Sequence, residues 1–457
     1  MDIGRRTALT AGLGLGLAPW TTGAASAASP VRTAAVSLGV GVPATDFGLE
    51  PNASHDQTQR LQAAIDATAP AGAPLWIAAG TYFFRSLTLP PAARIVGVPG
   101  VSVLRAMAGG TGITGVGADD IWLEGLVLDG DLHAYPDFNR RGLIALRDCS
   151  RLTLRDLTVR NTVGHAVSLV RSAGRLHMSN FHHAGQSGIF ALDSAGLEIA
   201  ANTVTDCANN AILVWREKAG DDGTIVSGNR IARIAAAAGG SGQNGNGINV
   251  FRAGGVLVTQ NRIEDCAFTA IRGNAASNIQ MVANSCARLG EVALYAEFGF
   301  EGALIASNLV DTAAAGISVT NFNEGGRLAI VQGNIVRNLA RREHEPEDKR
   351  GEGIAVEADA VVSANVVENA PTAGIVVGWT RWMREVVVTS NLIRQARIGV
   401  AVTGDPSAGS VLVTANMISG ARDGAIRAMI RHAPYGPDLA TTTTETARVA
   451  IHGNAVS

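Results

Sequence analysis

The chain has 457 residues, 47% of them hydrophobic and 17% charged, so it can bury a large core, and intrinsic disorder is excluded. Its formal net charge is −2, from 37 basic and 39 acidic residues, which gives no electrostatic case for nucleic acid or an anionic membrane as a partner. No run reaches the roughly 18 apolar residues that span a bilayer, so no stable membrane insertion is expected.

Residues 1–27 read as an export signal of the twin-arginine (Tat) type. Arg5-Arg6 lie near the start, a weakly apolar glycine-rich stretch covers 8–18, and Ala25-Ser26-Ala27 is a small-x-small cleavage pattern. The Tat export machinery is then a partner, and the expected location is periplasmic or secreted. Residues 28–110 should form an N-terminal cap and lead-in strands, continuous with coils over 111–457. Within the cap, 56–68 suits a helix: Asp56 and Gln59 can form a capping box, and Leu61, Ile65 and Thr68 share a face. The strands PLWIAAGTYFF and SLTLPPAARIVGV follow.

Internal repetition then decides the fold. Short runs of alternating β-branched residues end in Asn, and a polar turn and an Ile-x-Val pair come next. The asparagines are Asn202, Asn229, Asn261, Asn308, Asn334, Asn365, Asn391 and Asn416, with Asn180 and Asn284 in weaker copies. Leu126 and Leu157 hold the same slot earlier. Each copy is too short for a βαβ unit and lacks a helical stripe. Stacked one turn per copy, at about 4.8 Å, such units bury a continuous core. The fold class is therefore an all-β, right-handed parallel β-helix with an N-terminal capping helix and an asparagine ladder. Each Asn suits a left-handed turn, and its amide can donate to one coil and accept from another.

Two insertions leave the coils, a glycine-rich one at 235–246 and a charged one at 339–352; a polar stretch at 433–447 precedes a last strand. Cys149, Cys207, Cys266 and Cys286 have no metal-ligand spacing and read as buried free thiols. No residue pattern implies a cofactor or a metal.

The segment DFGLEPNASHDQTQRLQAAIDA with PLWIAAGTYFF resembles the N-terminal lead-in of pectate-lyase-like β-helix proteins. From GRRTALTAG through GGSGQNGNGINVFRA and EVALYAEFGFEGA to NFNEGGRLAIVQGN, nearly the whole chain resembles a narrower group within that superfamily: twin-arginine-translocated repeat proteins of uncharacterised activity. That resemblance implies fold and export but no reaction. The motifs of characterised relatives are missing. Asp119-Asp120 has no Gly-His-Gly partner, Gly164-His165 lacks the second Gly, and no Asp-Pro-His occurs. Asp129 and Asp131 can suggest calcium, but an Asp-Gly turn is the preferred reading. His165, His182 and His183 read better as solvated turn histidines than as metal ligands, and GGSGQNGNG as a loop overhanging Asn249.

A site should lie on the outward face of the strand carrying Ile-x-Val, because residues alternate in and out. One outward column is expected to hold Trp215, Phe251, Tyr295 and Glu357, and a second Asn249, Arg272 and Ser318. Asp193, Arg216, Glu217, Arg252, Glu297, Asn321 and Trp379 fall just past the strand. Aromatic faces stack on sugar rings, and Arg and Asn hydrogen-bond them, so a polysaccharide is the expected partner. Trp215, Arg216, Asn249, Arg252, Asn321 and Trp379 would bind it. For catalysis the candidates are Tyr295, Glu297, Arg272 and Glu357. Glu297 and Glu357, two coils or roughly 9–10 Å apart, stand at the upper limit for the carboxyl pair of an inverting hydrolase. For β-elimination, Tyr295 would carry the proton while Arg272 neutralises a uronate. The alternatives are a non-catalytic envelope protein that binds glycan, and a purely structural repeat protein.

Overall fold

Alternation of buried and exposed residues every second position makes each coil a set of short strands with one inward face. The computed structural model describes residues 41–137, 141–240, 242–320, 325–341, 351–441, 444–445 and 448–457. The expected export signal at 1–27, Asn321 and 342–350 of the charged insertion lie outside the described residues. The chain winds through about 13 turns of a parallel β-solenoid. Three strand ladders run along it. Face 1 includes Ile225–Ser227, Leu257–Thr259 and Ile279–Val282; face 2 includes Thr203–Cys207, Arg230–Ile234 and Arg262–Cys266. Face 3 includes Asn210–Asp221, Asn246–Gly254 and Ile271–Asn274. Faces 2 and 3 merge where Ser285–Glu297 and Leu309–Thr320 run round the corner through a register shift. One core cluster extends from Ala44 to Ile451.

Both ends are covered. The helix Thr58–Thr68 places Leu61, Ala64, Ile65 and Thr68 against the first coils. Asp56 Oδ1 accepts from the Thr58 N–H at 2.9 Å, yet the expected reciprocal Gln59 contact is not formed among the described residues. Gln57 turns back instead, exchanging hydrogen bonds with the Glu50 backbone at 2.9 and 3.0 Å. At the other end, Ile426–Ile430 pairs antiparallel with Ala433–Tyr435, and Thr444–Glu445 with Val449–His452. Reversing strand direction there denies a further parallel strand its template.

The asparagine ladder stands at the corner between faces 1 and 2. Asn308 shows the pattern: its Oδ1 accepts from the Asn284 N–H and Nδ2 at 2.9 and 3.0 Å, and its Nδ2 donates to Asn334 Oδ1 and Met281 O at 3.0 and 2.8 Å. The run continues from Asn202 to Asn454, all but the last buried. Two expectations change. Ser179, not Asn180, fills the slot before Asn202, accepting from the Leu157 N–H at 3.0 Å and donating its own N–H to Asn202 Oδ1 at 3.0 Å. The left-handed residue is the one before each ladder Asn, as in Ala201, Gln260 and Ser307. That twist turns the Asn inward, where its amide meets the neighbouring coils rather than water.

The four cysteines are buried and free. Burial pushes the Cys207 and Cys286 thiols up to about 12, so they pack as apolar side chains.

Candidate functional site

On face 3, inward residues such as Ile212, Ile248, Ile271, Leu294 and Ile317 align coil on coil and fix what points outward. The outward column between the inward pairs is Leu213, Asn249, Arg272, Tyr295 and Ser318. Two residues further along each strand come Trp215, Phe251, Asn274, Glu297 and Thr320. This corrects the column membership read from sequence. Tyr295 stands with Asn249 and Arg272, and Glu297 stands with Trp215 and Phe251. In this coil the inward pair is Leu294 and Ala296. Val292 and Leu294 imitate the Ile-x-Val signature two positions early, so the register reads differently from the sequence alone. Glu357 donates its N–H to Val319 O, which sets it beside Thr320 and two coils from Glu297, the expected separation in coils.

Arg272 and Glu297 are buried and form one cluster with the half-buried Tyr295. Arg272 Nε and Nη2 reach Glu297 Oε1 at 2.7 and 2.6 Å, and Asn274 Nδ2 donates to the same oxygen at 2.8 Å. The guanidinium lies 5.1 Å from the Tyr295 ring centroid, and Thr320 Oγ1 donates to the Tyr295 hydroxyl at 3.4 Å. Burial raises the Glu297 carboxyl above its ordinary range, while Arg272, Asn274 and a Tyr295 hydrogen bond pull it back. Burial, helped by the Glu297 charge, pushes the Tyr295 hydroxyl up to about 12. Glu291 Oε2 is 4.0 Å from Arg272 Nη1, which has no hydrogen-bond partner among the described residues. Because Glu297 already engages Arg272, the guanidinium is not free to neutralise a uronate as the sequence suggests.

Aromatic rings lead up to this cluster. His165 stacks on Phe190 at 4.6 Å, and edge contacts of 5.8 and 5.9 Å carry the row on to Trp215 and Phe251. Asn249 joins the two parts: its Oδ1 accepts from Trp215 Nε1 at 3.3 Å, and its Nδ2 donates to Gly242 O at 3.1 Å. The glycine-rich insertion thus overhangs the strip at Asn249, as expected. A Cβ on Gly242, whose φ is +122, would stand 3.3 Å from the Arg272 guanidinium, a close approach that glycine permits.

The other predicted residues are more scattered. Arg252 covers the Phe251 ring at 4.6 Å and donates to Glu217 O at 2.7 Å. Arg216 turns toward buried Asp222, 3.8 Å away, rather than along the strip. Trp379 falls beyond Glu357 and packs on His432 at 4.9 Å. Sequence reading missed Asn274, Thr320, Glu291 and Phe190. The signal was there for one of them: Asn274 follows Arg272 by the interval at which Glu297 follows Tyr295 on the next coil.

Other candidates resolve as packing. Asp129 is buried and held by Arg160 Nε at 2.9 Å and Asn161 Nδ2 at 3.1 Å, with its Oδ1 capping the Asp131 N–H at 3.0 Å, which is the turn reading. His165 is not solvated: it is buried, with Nδ1 2.6 Å from Ser187 Oγ. His182 and His183 meet at 2.7 Å between their Nδ1 atoms on the outside of face 2. Among the described residues, no group of three or more His, Cys, Asp or Glu is placed to hold a metal, and no helix is long and apolar enough to cross a membrane.

Coils of this kind define a pectate-lyase-like right-handed β-helix protein. Residues 218–393 match the right-handed beta helix region model, and residues 41–272 match the family described as rhamnogalacturonase A/epimerase, pectate lyase-like. The second match spans more than half of the chain, which belongs to that family. A search of curated proteins returned no match. Among solved structures, the N-terminal fragment of bacteriophage phi29 gene product 12 is similar at 13% identity and TM-score 0.51, over 91% of this chain and 71% of that one. The Azotobacter vinelandii mannuronan C-5 epimerase AlgE4 A-module shares 14% identity at TM-score 0.45, covering 90% and 100%. The catalytic unit of GH87 alpha-1,3-glucanase from Streptomyces thermodiastaticus strain HF3-3 shares 14% at 0.46, covering 95% and 70%. Identities this low speak to fold alone.

Proposed function

We propose that this is an exported protein that binds a polysaccharide along face 3 and hydrolyses it at the Arg272–Tyr295–Glu297 cluster. The observation that carries the reading is the continuity of the strip: a row of contacting rings ends, through Asn249, at a buried carboxyl coupled to an arginine and a tyrosine. Rings stack on sugar faces, and burial, which raises the Glu297 carboxyl, favours the protonated form that a general acid needs. The family description, naming a rhamnogalacturonase, an epimerase and pectate lyase, points to the same class of substrate. Export rests on the twin arginine and the cleavage pattern at 25–27, and it places the protein in the periplasm or outside the cell.

Hydrolysis is favoured over elimination because burial pushes the Tyr295 hydroxyl up to about 12, which keeps it protonated and so disfavours the proton abstraction that elimination requires. Glu297 would protonate the leaving glycosidic oxygen, and Glu357, roughly 9–10 Å away by coil spacing, would take a proton from the attacking water. The glycosidic bond breaks, and water supplies the hydroxyl to one fragment and the proton to the other. A second reading, glycan binding without turnover, is favoured by the clamp of Arg272 and Asn274 on Glu297, which also suits a purely structural ion pair.

The test is a panel of polysaccharides offered to the purified protein, with binding read by thermal shift, hydrolysis by reducing ends and elimination by unsaturated-uronate absorbance. Reducing ends that vanish in Glu297→Gln support hydrolysis at this cluster. Unsaturated products would replace it with a lyase. Binding alone favours the second reading, and no response to any polymer overturns both.

A further inference from the structure

Face 1 carries an outward column that changes character part-way along the solenoid. In its earlier coils the paired positions are Arg94, Trp122, Thr153, Arg175 and Glu198, the last two joined as an ion pair at 3.1 Å. The same column then takes in eight coils, through Ile225, Leu257, Gln280 and Leu304 and on through Ile330, Val361, Val387 and Leu412. It is aliphatic at every step but Gln280, and its midpoint falls between Leu304 and Ile330. Flanking residues such as Val226, Ile305 and Val331 are buried, so the pleat holds the column toward solvent. Ile225, Ile330 and Val361 are accordingly 41%, 44% and 38% exposed. A continuous aliphatic face of this length marks an interaction surface rather than an ordinary monomer exterior.

Near the midpoint the face has a knob and a hollow. Leu328 stands beside Ile330, 51% exposed on a left-handed backbone with φ 64, so an apolar side chain is held outward at a conformational cost. One coil earlier, the matching position is Gly302, where a Cβ would come within 2.6 Å of Asn278 Oδ1. A groove of about 440 Å³ lies here, with Gly302, Leu304, Leu328, Ile330 and Val361 in its lining. At its edge Arg327 and Glu301 pair at 3.0 Å on adjacent coils.

We propose that two copies of this chain pair antiparallel through face 1. A twofold axis along the strand direction, between Leu304 and Ile330, reverses the second solenoid and keeps each column over itself. The aliphatic run then overlaps itself fully: Leu304 meets Ile330 of the second copy, and Ile225 meets its Leu412. The same register seats Leu328 over Gly302 of the second copy and brings Arg327 beside its Glu301, so charges of opposite sign meet at the rim. Pairing the solenoids parallel would set Leu328 on Gln332 and lose that fit. Eight coils at about 4.8 Å, by strands of about six residues, span roughly 750 Å² per copy, against the roughly 800 Å² per partner of a stable interface. An apolar centre with a charged rim is the usual anatomy of such a surface. The pairing uses face 1 alone and leaves face 3 of both copies open, so it is independent of the polysaccharide reading.

The experiment measures the mass of the purified full chain by sedimentation over a concentration series, with the orientation read by cross-linking. A dimer is expected at about 10 µM. Leu328→Glu and Ile330→Glu change exposed side chains, so the circular dichroism melt should be kept while dimerisation weakens at least about tenfold. A short bismaleimide should join copies of the Ile225→Cys/Leu412→Cys double variant but neither single variant, and the four native cysteines are buried and remain silent. A monomer at every concentration overturns the proposal, and is the result expected if the chain's own residues cover the stripe. A dimer that survives both glutamate variants also overturns it, since the interface then lies elsewhere. Cross-linking of either single variant overturns the antiparallel arrangement.

Discussion

Two polar systems run along the same coils and are built on opposite plans. At the corner of faces 1 and 2, the asparagine ladder closes on itself, each amide between its neighbours giving and receiving within the stack. On face 3, the cluster around Arg272 stays open: Nη1 has no hydrogen-bond partner among the described residues, and the Glu297 carboxyl is raised by burial. A buried network that is fully satisfied serves the fold, whereas one that retains an unmet donor beside a perturbed carboxyl has capacity for a ligand. The two can be separated by experiment, because damage to each should appear in a different measurement.

The largest effect is expected in the ladder. Asn308→Ala removes the acceptor for two donors of Asn284 and the donor to Met281 O, all within the core. The cost should be about 3–5 kcal/mol of stability, seen as a lower denaturation midpoint, with ligand binding unchanged in the protein that remains folded. A loss of binding at full stability would mean that the ladder is not purely structural. Glu297→Gln should do the reverse. Gln keeps an acceptor for Arg272 and Asn274 but cannot deliver a proton, so turnover should fall about 10²–10⁴-fold while the circular dichroism spectrum is retained. Turnover that survives the change would move the chemistry away from this carboxyl.

How much of this could be read from residues alone follows the same division. The ladder was legible because its signal is a single residue type at recurrent spacing between apolar strands, and only its first rung was misplaced. Asn180 advertises itself, but Ser179 occupies the slot, since a hydroxyl can also accept from the coil before. The strip was half legible. Its residues were found, but their columns depended on which pair faces inward, and in the coil of Tyr295 the inward Ala296 carries no β-branched signature. Partners such as Asn274, Thr320 and Glu291 come together only through the coil register, which insertions of varying length hide from a fixed period.

Within the strip, Trp215→Ala tests whether the aromatic row contributes to binding. The change removes a ring in contact with Phe190 and Phe251 and the donor to Asn249 Oδ1. Glycan affinity should weaken about tenfold, with the rate on bound substrate little altered. Equal affinity would mean that the aromatic row only covers the coils.

The smallest effect should come from a third kind of polar contact, the exposed pairs outside the corner of faces 2 and 3, and it calibrates the other two. Asp206 and Arg233 make paired contacts at 2.6 and 2.7 Å, yet both side chains remain open to water. Arg233 is the main cause that holds the Asp206 carboxyl down, to about 2. A carboxyl lowered on folding binds fewer protons in the native state, so its contribution is present above the ordinary value of 3.8 and is lost as pH falls through about 2. Solvent screening keeps that contribution small, about 0.5 kcal/mol at neutral pH. Asp206→Asn should therefore lower stability slightly at pH 7, and the gap from the parent should close between about pH 4 and pH 2. A gap as large as that of Asn308→Ala would show that this outer row also belongs to the closed, fold-bearing system. A small gap that closes in acid would leave satisfaction within the core, rather than hydrogen-bond geometry alone, as what separates the ladder from every other polar contact on these coils.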